Sequence, residues 1–392
     1  MRVAMIDPSL FTGRYDDSLC AAIAAQGHAV TLLGRPLRAT DALIPAGYRY
    51  TPRYFRLGER LRPLIGEGVS FRAIKAADYM IDCLIGSLPC ADVVHYQWLP
   101  FAPADRHGLR RLRARGVPLV HTVHNATAYH GDAAVQGHGY MRLLAQFDRL
   151  IVHGAATRDA LVAAEIAPER IGIVPHPPMR LAPATAQSRA QVPPPRAPRI
   201  LFFGTIRPYK GLDLLIDACL RLWRDGATFE LAIAGKPFVD MAAMLRPVHA
   251  SGYADRLHCD LGFLGEDRLS AWMESADIMV FPYRHIDSSG AFLSALHHGK
   301  AMVCTATGLF ASLPPDASGS PPVTLVPIED AAALAQALLP LVGSTAIRQA
   351  MGARAAALGE SLATWDKAGS ATVDIYRQAQ AHVATGRGRD GA

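Results

Sequence analysis

FPYRHIDSSGAFLSALHHGKAMV, residues 281–303, opens as an apolar strand, closes as another, and carries helical spacing in between. Strand, helix and strand in that order are the building unit of a parallel sheet covered by helices. At the hand-over from strand to helix stand Asp287, Ser288, Ser289 and Gly290. The first helical turn leaves backbone N–H groups without partners, and the helix dipole adds positive charge there. Serine caps such a turn, and glycine lets a ligand come close to the backbone. We read the stretch as a phosphate seat; a plain capped helix is the alternative if it stood by itself.

The same alternation extends outward. Strand-like runs in the second half are RILFFG, FELAIAG, LHCDLGFL, DIMVFPY, AMVCTAT and VTLVP, separated by helical stretches such as GLDLLIDACLRLWRDG. In the first half they are RVAMID, AVTLLG, DVVHYQW, PLVHTVH, RLIVHG and RIGIVPH. Between the halves, 179–199 is rich in Pro, Ala and Arg and has no periodicity. The expected fold is α/β, with two doubly wound parallel-sheet domains of Rossmann-like type. The expected bounds are 1–178, a linker over 179–198, a second domain over 199–362, a helix over 363–385 packing back, and a frayed tail over 386–392. Ligands of such sheets bind at the carboxyl ends of the strands.

Composition agrees with a folded two-domain chain. Of 392 residues, 50% are hydrophobic and 19% charged, too long for one core and too apolar for disorder. Cys20, Cys83, Cys90, Cys219, Cys259 and Cys304 form no C-x-x-C pair. They read as reduced, mostly buried thiols of a cytoplasmic protein. The start lacks a signal-peptide layout, and no apolar run approaches the roughly 20 residues of a membrane helix. The net charge is +6, concentrated in two places. Residues 49–75 hold seven Arg and Lys against two Glu, and 106–116 hold five Arg and no acid. Basic residues interleaved with apolar ones suit an anionic membrane surface; a solvated Arg-rich face is the alternative. No zinc finger, recognition helix or aromatic RNA-binding signature points to nucleic acid. No G-x-G-x-x-G opens either domain, which argues against a dehydrogenase.

A second phosphate candidate lies in ILFFGTIRPYKGLDLLIDA, 200–218. A buried strand ends at Gly204, and the loop after it carries Arg207 and Lys210. Arg grips two phosphate oxygens and Lys adds a point charge, so the pair suits a diphosphate. Surface cations on an ordinary loop are the alternative. In the first half, His124 of HTVHNATAYHGD sits at a strand's carboxyl end, and a capping or core histidine is the competing reading. His130 and Asp132 on the next loop are candidates for an acceptor-side base, which an inverting transfer needs; for Asp132 an ordinary turn residue is the alternative. Gly13, in the first strand–helix loop, would let the backbone approach a ligand or simply make a turn.

These motifs, in this order and spacing, resemble the GT-B glycosyltransferases of the family 4 type. The marks are FFGTIRPYKGLDLLIDA, LAIAGKP, FLGEDRLSAWMESADIMVFPYR, SGAFLSALHHGKAMVCTATG and the W…Y of the last helix. PSLFTGRY, GHAVTLLGR, DVVHYQWLP, HTVHN and IVPHP fit in the first half. The resemblance implies two domains facing a central cleft. It also implies a nucleotide-sugar donor, UDP- or GDP-linked, on the second domain and a glycan or lipid-linked acceptor on the first. It implies no other cofactor. Lys210 matches the family's diphosphate lysine, His124 its sugar-contacting histidine, and Gly235 and Lys236 a loop near the nucleotide. Two departures stand out. The arginine usual directly after the glycine is replaced by Thr205, with Arg207 two residues on. The usual pair of glutamates falls on Ile286 and Ser294. Asp287 is the expected substitute for the first, Ser288, Ser289 and Gly290 face the diphosphate, and Ser294 meets the ribose. No Asp-x-Asp triplet occurs, in line with a metal-independent hexosyltransferase. The expected setting is cell-surface polysaccharide synthesis at the cytoplasmic membrane face. A degenerate scaffold subunit and a sugar-nucleotide epimerase or hydrolase of the same architecture are the alternatives.

Overall fold

The computed structural model describes residues 1–39, 41, 43–66, 68–85, 90–125, 138–316 and 319–390. The chain forms two compact units. The first comprises Met1–His176 and Ala363–Ala392, the second Pro177–Leu362.

In the first unit the strands are β1 (Arg2–Ile6), β2 (Ala29–Gly34), β3 (Arg49–Pro52), β4 (Val93–Tyr96), β5 (Leu119–Thr122), β6 (Arg149–Val152) and β7 (Ile171–Ile173). They form one sheet in the order β3-β2-β1-β4-β5-β6-β7, and every pairing is parallel. In the second unit β8 (Arg199–Phe203), β9 (Glu230–Gly235), β10 (Leu257–Leu261), β11 (Ile278–Phe281), β12 (Ala301–Thr305) and β13 (Thr324–Val326) form a second sheet. Its order is β10-β9-β8-β11-β12-β13, again all parallel. The two doubly wound sheets are those expected. The central strands β8, β9, β11 and β12 are buried along their whole length. That is why they read as unbroken apolar runs and not as an alternation.

The strand order fixes where a ligand can sit. Order reverses between β1 and β4, and between β8 and β11. At these switch points the loops leave in opposite directions and open a crevice at the carboxyl edge. The loops concerned begin at Asp7 and Gln97 in the first unit, and at Gly204 and Pro282 in the second.

Three segments differ from expectation. Arg49–Pro52 is an edge strand; four residues ending in proline give little strand signal and suit only an edge. Residues 179–198 are no free linker but part of the second unit. Ala184 and Val192 are buried, and a capping box of Thr185 and Ser188 heads the short helix Ala186–Ala190. The Ala182 backbone donates to Glu266 and accepts from Ser270, while Arg189 pairs with Glu274 at 2.7 Å. The last helix runs Trp365–Asp390, past the point where fraying was expected, and belongs to the first unit. There the Tyr376 hydroxyl meets His95 at 2.8 Å. Of the thiols, Cys20, Cys219 and Cys304 are buried, Cys83 is half-buried, and Cys90 and Cys259 are exposed. Among the described residues no single helix is long and apolar enough to cross a membrane.

Candidate active site

In the second unit, β8 ends at Phe203 and the chain turns at Gly204 into a 3-10 turn, Pro208–Lys210. Gly211 follows with φ +68°, and a Cβ there would sit 2.0 Å from the Pro282 carbonyl oxygen. Only glycine allows both the left-handed backbone and that approach. Gly235, at the end of β9, has φ +145°, and its Cβ would lie 1.8 Å from the Gly204 oxygen. The two glycines therefore clamp the ends of β8, β9 and β11 together.

Lys210 is buried to 7% exposure. Its Nζ stands 5.2 Å from the centre of the Tyr283 ring and 3.5 Å from where a Gly204 Cβ would be. Among the described residues it makes no hydrogen bond or ion pair. Burial, and then the neighbouring Arg207 charge, lower its pKa to about 8. A buried ammonium without an anion is costly, so the pocket holds a positive charge ready for an external one. Arg207 lies 3.9 Å over the Phe238 ring, and Lys236 reaches the same ring at 5.5 Å. Neither is paired with an acid among the described residues. Arg207, Lys210 and Lys236 thus belong to the ends of two adjacent strands, β8 and β9, and leave three cations unneutralised.

The strand β11 leads into Ser289, which caps the helix Gly290–Ala295 by accepting from the Phe292 N–H at 3.2 Å. The buried Ser288 Oγ has no hydrogen-bond partner among the described residues, and the buried Tyr283 hydroxyl faces the Ser289 side chain. An orphaned group such as Ser288 Oγ is uncommon in a finished interior and fits an oxygen of a bound phosphate. Gly290 is half-buried, with space occupied only by the flexible end of Met179. Asp287 is half-buried in the same loop. Ser294 was expected to meet the ribose; its hydroxyl instead donates to the Gly290 carbonyl at 2.7 Å. Ile286, at the position of the first missing glutamate, is buried.

Arg284 was not singled out from sequence. It donates to Asp213 through two nitrogens at 3.0 and 2.7 Å, to Glu329 at 2.8 Å and to the Pro208 carbonyl at 2.7 Å. Its backbone N–H also donates to the Tyr209 carbonyl. It staples the turn that carries Lys210 to the end of β11. The letters FPYR showed an arginine after the strand, but not that acids 71 and 45 positions away converge on it.

In the first unit, His124 lies just past β5. One ring nitrogen is 2.9 Å from the Gln97 carboxamide and the other 3.2 Å from His153. Trp98 stacks on it at 5.2 Å, and Tyr15 packs edge-on at 5.1 Å. Burial, reinforced by His153 and His176, holds its pKa well below the usual value; burial lowers His153 to about 4. Both rings are therefore neutral near pH 7. The Val174 carbonyl accepts the His153 Nδ1–H. Gln97 turns its Oε1 toward His124 Nε2 and its amide nitrogen toward the Met5 sulfur, so His124 Nε2–H donates to Gln97. His124 is thus a positioned neutral imidazole. The sequence did not show Gln97 and His153 as its partners.

Beside it, the buried Asp7 accepts from the Thr12 N–H at 2.9 Å, and the Thr12 hydroxyl accepts from the Trp98 indole at 2.9 Å. Burial raises the pKa values of both Asp7 and Asp16. Gly13 heads the helix Gly13–Ala25. A Cβ there would meet Leu43 and Leu10 at ordinary distances, so local packing does not demand glycine. His130 and Asp132 lie outside the described residues.

Comparison with known proteins matches both halves to glycosyltransferase families. Residues 12–177 match the family described as Glycosyltransferase Family 4, and 197–344 match Glycosyl transferases group 1. A D-inositol 3-phosphate glycosyltransferase of Kineococcus radiotolerans is 30% identical over 70% of this chain and 69% of its own length. A GDP-mannose:glycolipid 4-beta-D-mannosyltransferase of Xanthomonas campestris is 29% identical over 48% of this chain and 50% of its own. In fold, the Anabaena HepE protein solved with UDP-glucose superposes with a TM-score of 0.66 at 13% identity, over 98% of this chain and 100% of its own. The chain spans between half and about two thirds of the length of these two sequence relatives.

Proposed function

The chain belongs to the GT-B glycosyltransferases that join a family 4 domain to a group 1 domain, and from that membership we propose its reaction. It moves a hexosyl residue from a UDP- or GDP-sugar to a glycan or lipid-linked saccharide, in the synthesis of a cell-surface polysaccharide. The second unit holds the donor and the first the acceptor. One observation carries the reading: Lys210 is a buried cation with no anion, beside Arg207 and at a strand-order reversal. A diphosphate supplies what that pocket lacks.

Departure of the nucleoside diphosphate puts negative charge on the oxygen that leaves the sugar carbon. Lys210 and Arg207 face that charge already in place, and preorganised charge of this kind is usually the largest catalytic contribution. Ser288, Ser289 and Gly290 offer hydrogen-bond donors to the remaining oxygens, and Lys236 adds charge at the rim. We propose that the reaction runs without a metal ion. In the first unit, the neutral His124 ring, held on both nitrogens by Gln97 and His153, offers a fixed ring surface to a sugar.

We also propose that the protein works on the cytoplasmic face of a membrane, where lipid-linked acceptors are presented. Leu57, Leu64 and Val69 are 52%, 80% and 79% exposed and lie on the helices Arg56–Ile65 and Val69–Ile85. Exposed Arg56, Arg60 and Arg72 share those helices. Part of the basic 49–75 stretch is neutralised internally, Arg53 by Asp82 at 2.7 Å. The 106–116 stretch adds the remaining charge.

A second reading, a degenerate glycosyltransferase kept as a scaffold, is favoured by the buried Ile286 and the inward-bonded Ser294. Turnover separates the two. The purified chain, incubated with UDP- and GDP-hexoses in the presence of EDTA, is expected to release UDP or GDP from one donor. Lys210→Ala is expected to slow that release by about 100-fold or more. Absence of release from every donor, with and without a membrane extract as acceptor source, would sink the enzyme reading.

A further inference from the structure

Four arginines converge on one groove of the first unit. Arg106, Arg110 and Arg113 stand at i, i+4 and i+7 of the helix Ala102–Ala114 and so share one face. Arg142, from the helix His138–Leu144, lines the groove with them, together with Gln146; its volume is about 470 Å³. No acid lines it. Among the described residues Arg106, Arg110 and Arg142 make no hydrogen bond or ion pair, and Arg113 spends one N–H on the Gln146 carbonyl at 2.6 Å. The helix's one acid, Asp105, is buried away from them, bonded to the Tyr79 hydroxyl and the Phe101 N–H. Burial also raises its pKa to about 7, which weakens any charge it could lend.

A solvated basic face would spread its charges and interleave acids. Here two helices bring guanidinium groups to one concavity with no acid among the described residues that line it, and like charges so placed repel. Guanidinium forks match phosphate oxygens two at a time. We propose that this groove binds a ligand with two or more closely spaced phosphate groups. It shares no residue with the diphosphate seat around Lys210 and does not rest on the donor reading. It also goes beyond a basic membrane face. Diffuse attraction needs only net charge, whereas four converging arginines make a discrete site that saturates. The phosphates come either from a soluble polyphosphate or from a lipid headgroup.

The test is calorimetric titration of the full chain with inorganic tripolyphosphate. It is run on Lys210→Ala, in which the other phosphate seat is crippled, and on that variant carrying Arg110→Gln or Arg142→Gln. The Arg110 and Arg142 side chains are exposed, so an unchanged melting temperature verifies folding. We expect one-to-one binding to Lys210→Ala, weakened about tenfold by either arginine substitution and weakened again as salt is raised. Binding indifferent to both arginine substitutions, or no saturable binding, overturns the proposal. Displacement of tripolyphosphate by cardiolipin vesicles and not by phosphatidylcholine vesicles assigns the site to a lipid headgroup. Failure of both to displace it assigns the site to a soluble ligand.

Discussion

Lys210 shows how a single residue can work against the fold that holds it. Its ammonium is buried, next to a second cation, and faces no acid among the described residues. With a folded pKa of about 8 against an ordinary 10.5, the unfolded chain binds the extra proton more readily than the native one. Below about pH 8 the charged group therefore costs stability. Between about 8 and 10.5 the unfolded state holds more protons, so that cost is relieved as pH rises. Lys210→Met is expected to stabilise the ligand-free protein by about 1–3 kcal/mol at pH 7, read from its denaturation midpoint. The gain should vanish toward pH 10.5. Nucleotide affinity of the wild type should run the other way and fall as pH rises past 8, because only the charged form meets a diphosphate. If Lys210→Met were destabilising at pH 7, the ammonium would have a partner that this account lacks. Residue type and position made Lys210 legible in the sequence, since a lysine on a strand–helix loop matches a recurring phosphate device. The neutral His124 pair was not legible as a pair. Its partners Gln97 and His153 lie 27 and 29 positions away, and only the parallel register of β4, β5 and β6 brings them side by side.

At the scale of elements, the switch point between β8 and β11 is where the proposed seat lies, and Arg284 holds its two sides together. Four hydrogen bonds tie Arg284 to Asp213, Glu329 and the Pro208 carbonyl. Burial alone would raise the Asp213 pKa, but the hydrogen bonds and charge of Arg284 outweigh it and leave the carboxyl below its ordinary value. Asp213 and Glu329 are 49% and 64% exposed, so solvent screens much of the attraction. Arg284→Ala is therefore expected to lower stability by only about 1–2 kcal/mol. It should weaken nucleotide binding about tenfold, because the turn carrying Lys210 loses its anchor. Equal nucleotide affinity in Arg284→Ala and wild type would show that the turn holds its shape without the staple. The strands were readable because parallel, doubly covered strands such as RILFF and AMVCT are unbroken apolar runs. RYTP was not, since its proline and short length suit an edge. The 179–198 segment was misread because Ala184 and Val192 are buried singly among prolines, which leaves no period to detect.

At the scale of the whole molecule, two sheets of one topology carry different chemistry at their strand ends. The second unit presents cations and the orphaned Ser288 hydroxyl. The first presents neutral histidines and aromatic rings around His124, and an arginine groove on a helical face. The last helix returns to the first unit, so both the start and the end of the chain belong to one body. Family and fold were recoverable from ordered motifs. The absent glutamates left the sugar-facing side open, and the structure adds that Ser294 is bonded inward. We propose that the second unit is a working nucleoside-diphosphate seat. Thermal melting of wild type and Lys210→Ala with UDP, GDP, ADP, CMP and dTDP tests it most directly. A nucleotide at about 100 times its dissociation constant adds about 2.7 kcal/mol, or roughly 5 °C or more for a unit of this size. We expect UDP or GDP to give that shift in the wild type and Lys210→Ala to lose it. No shift with any nucleoside diphosphate, or an equal shift in both proteins, would mean that Lys210 holds no diphosphate.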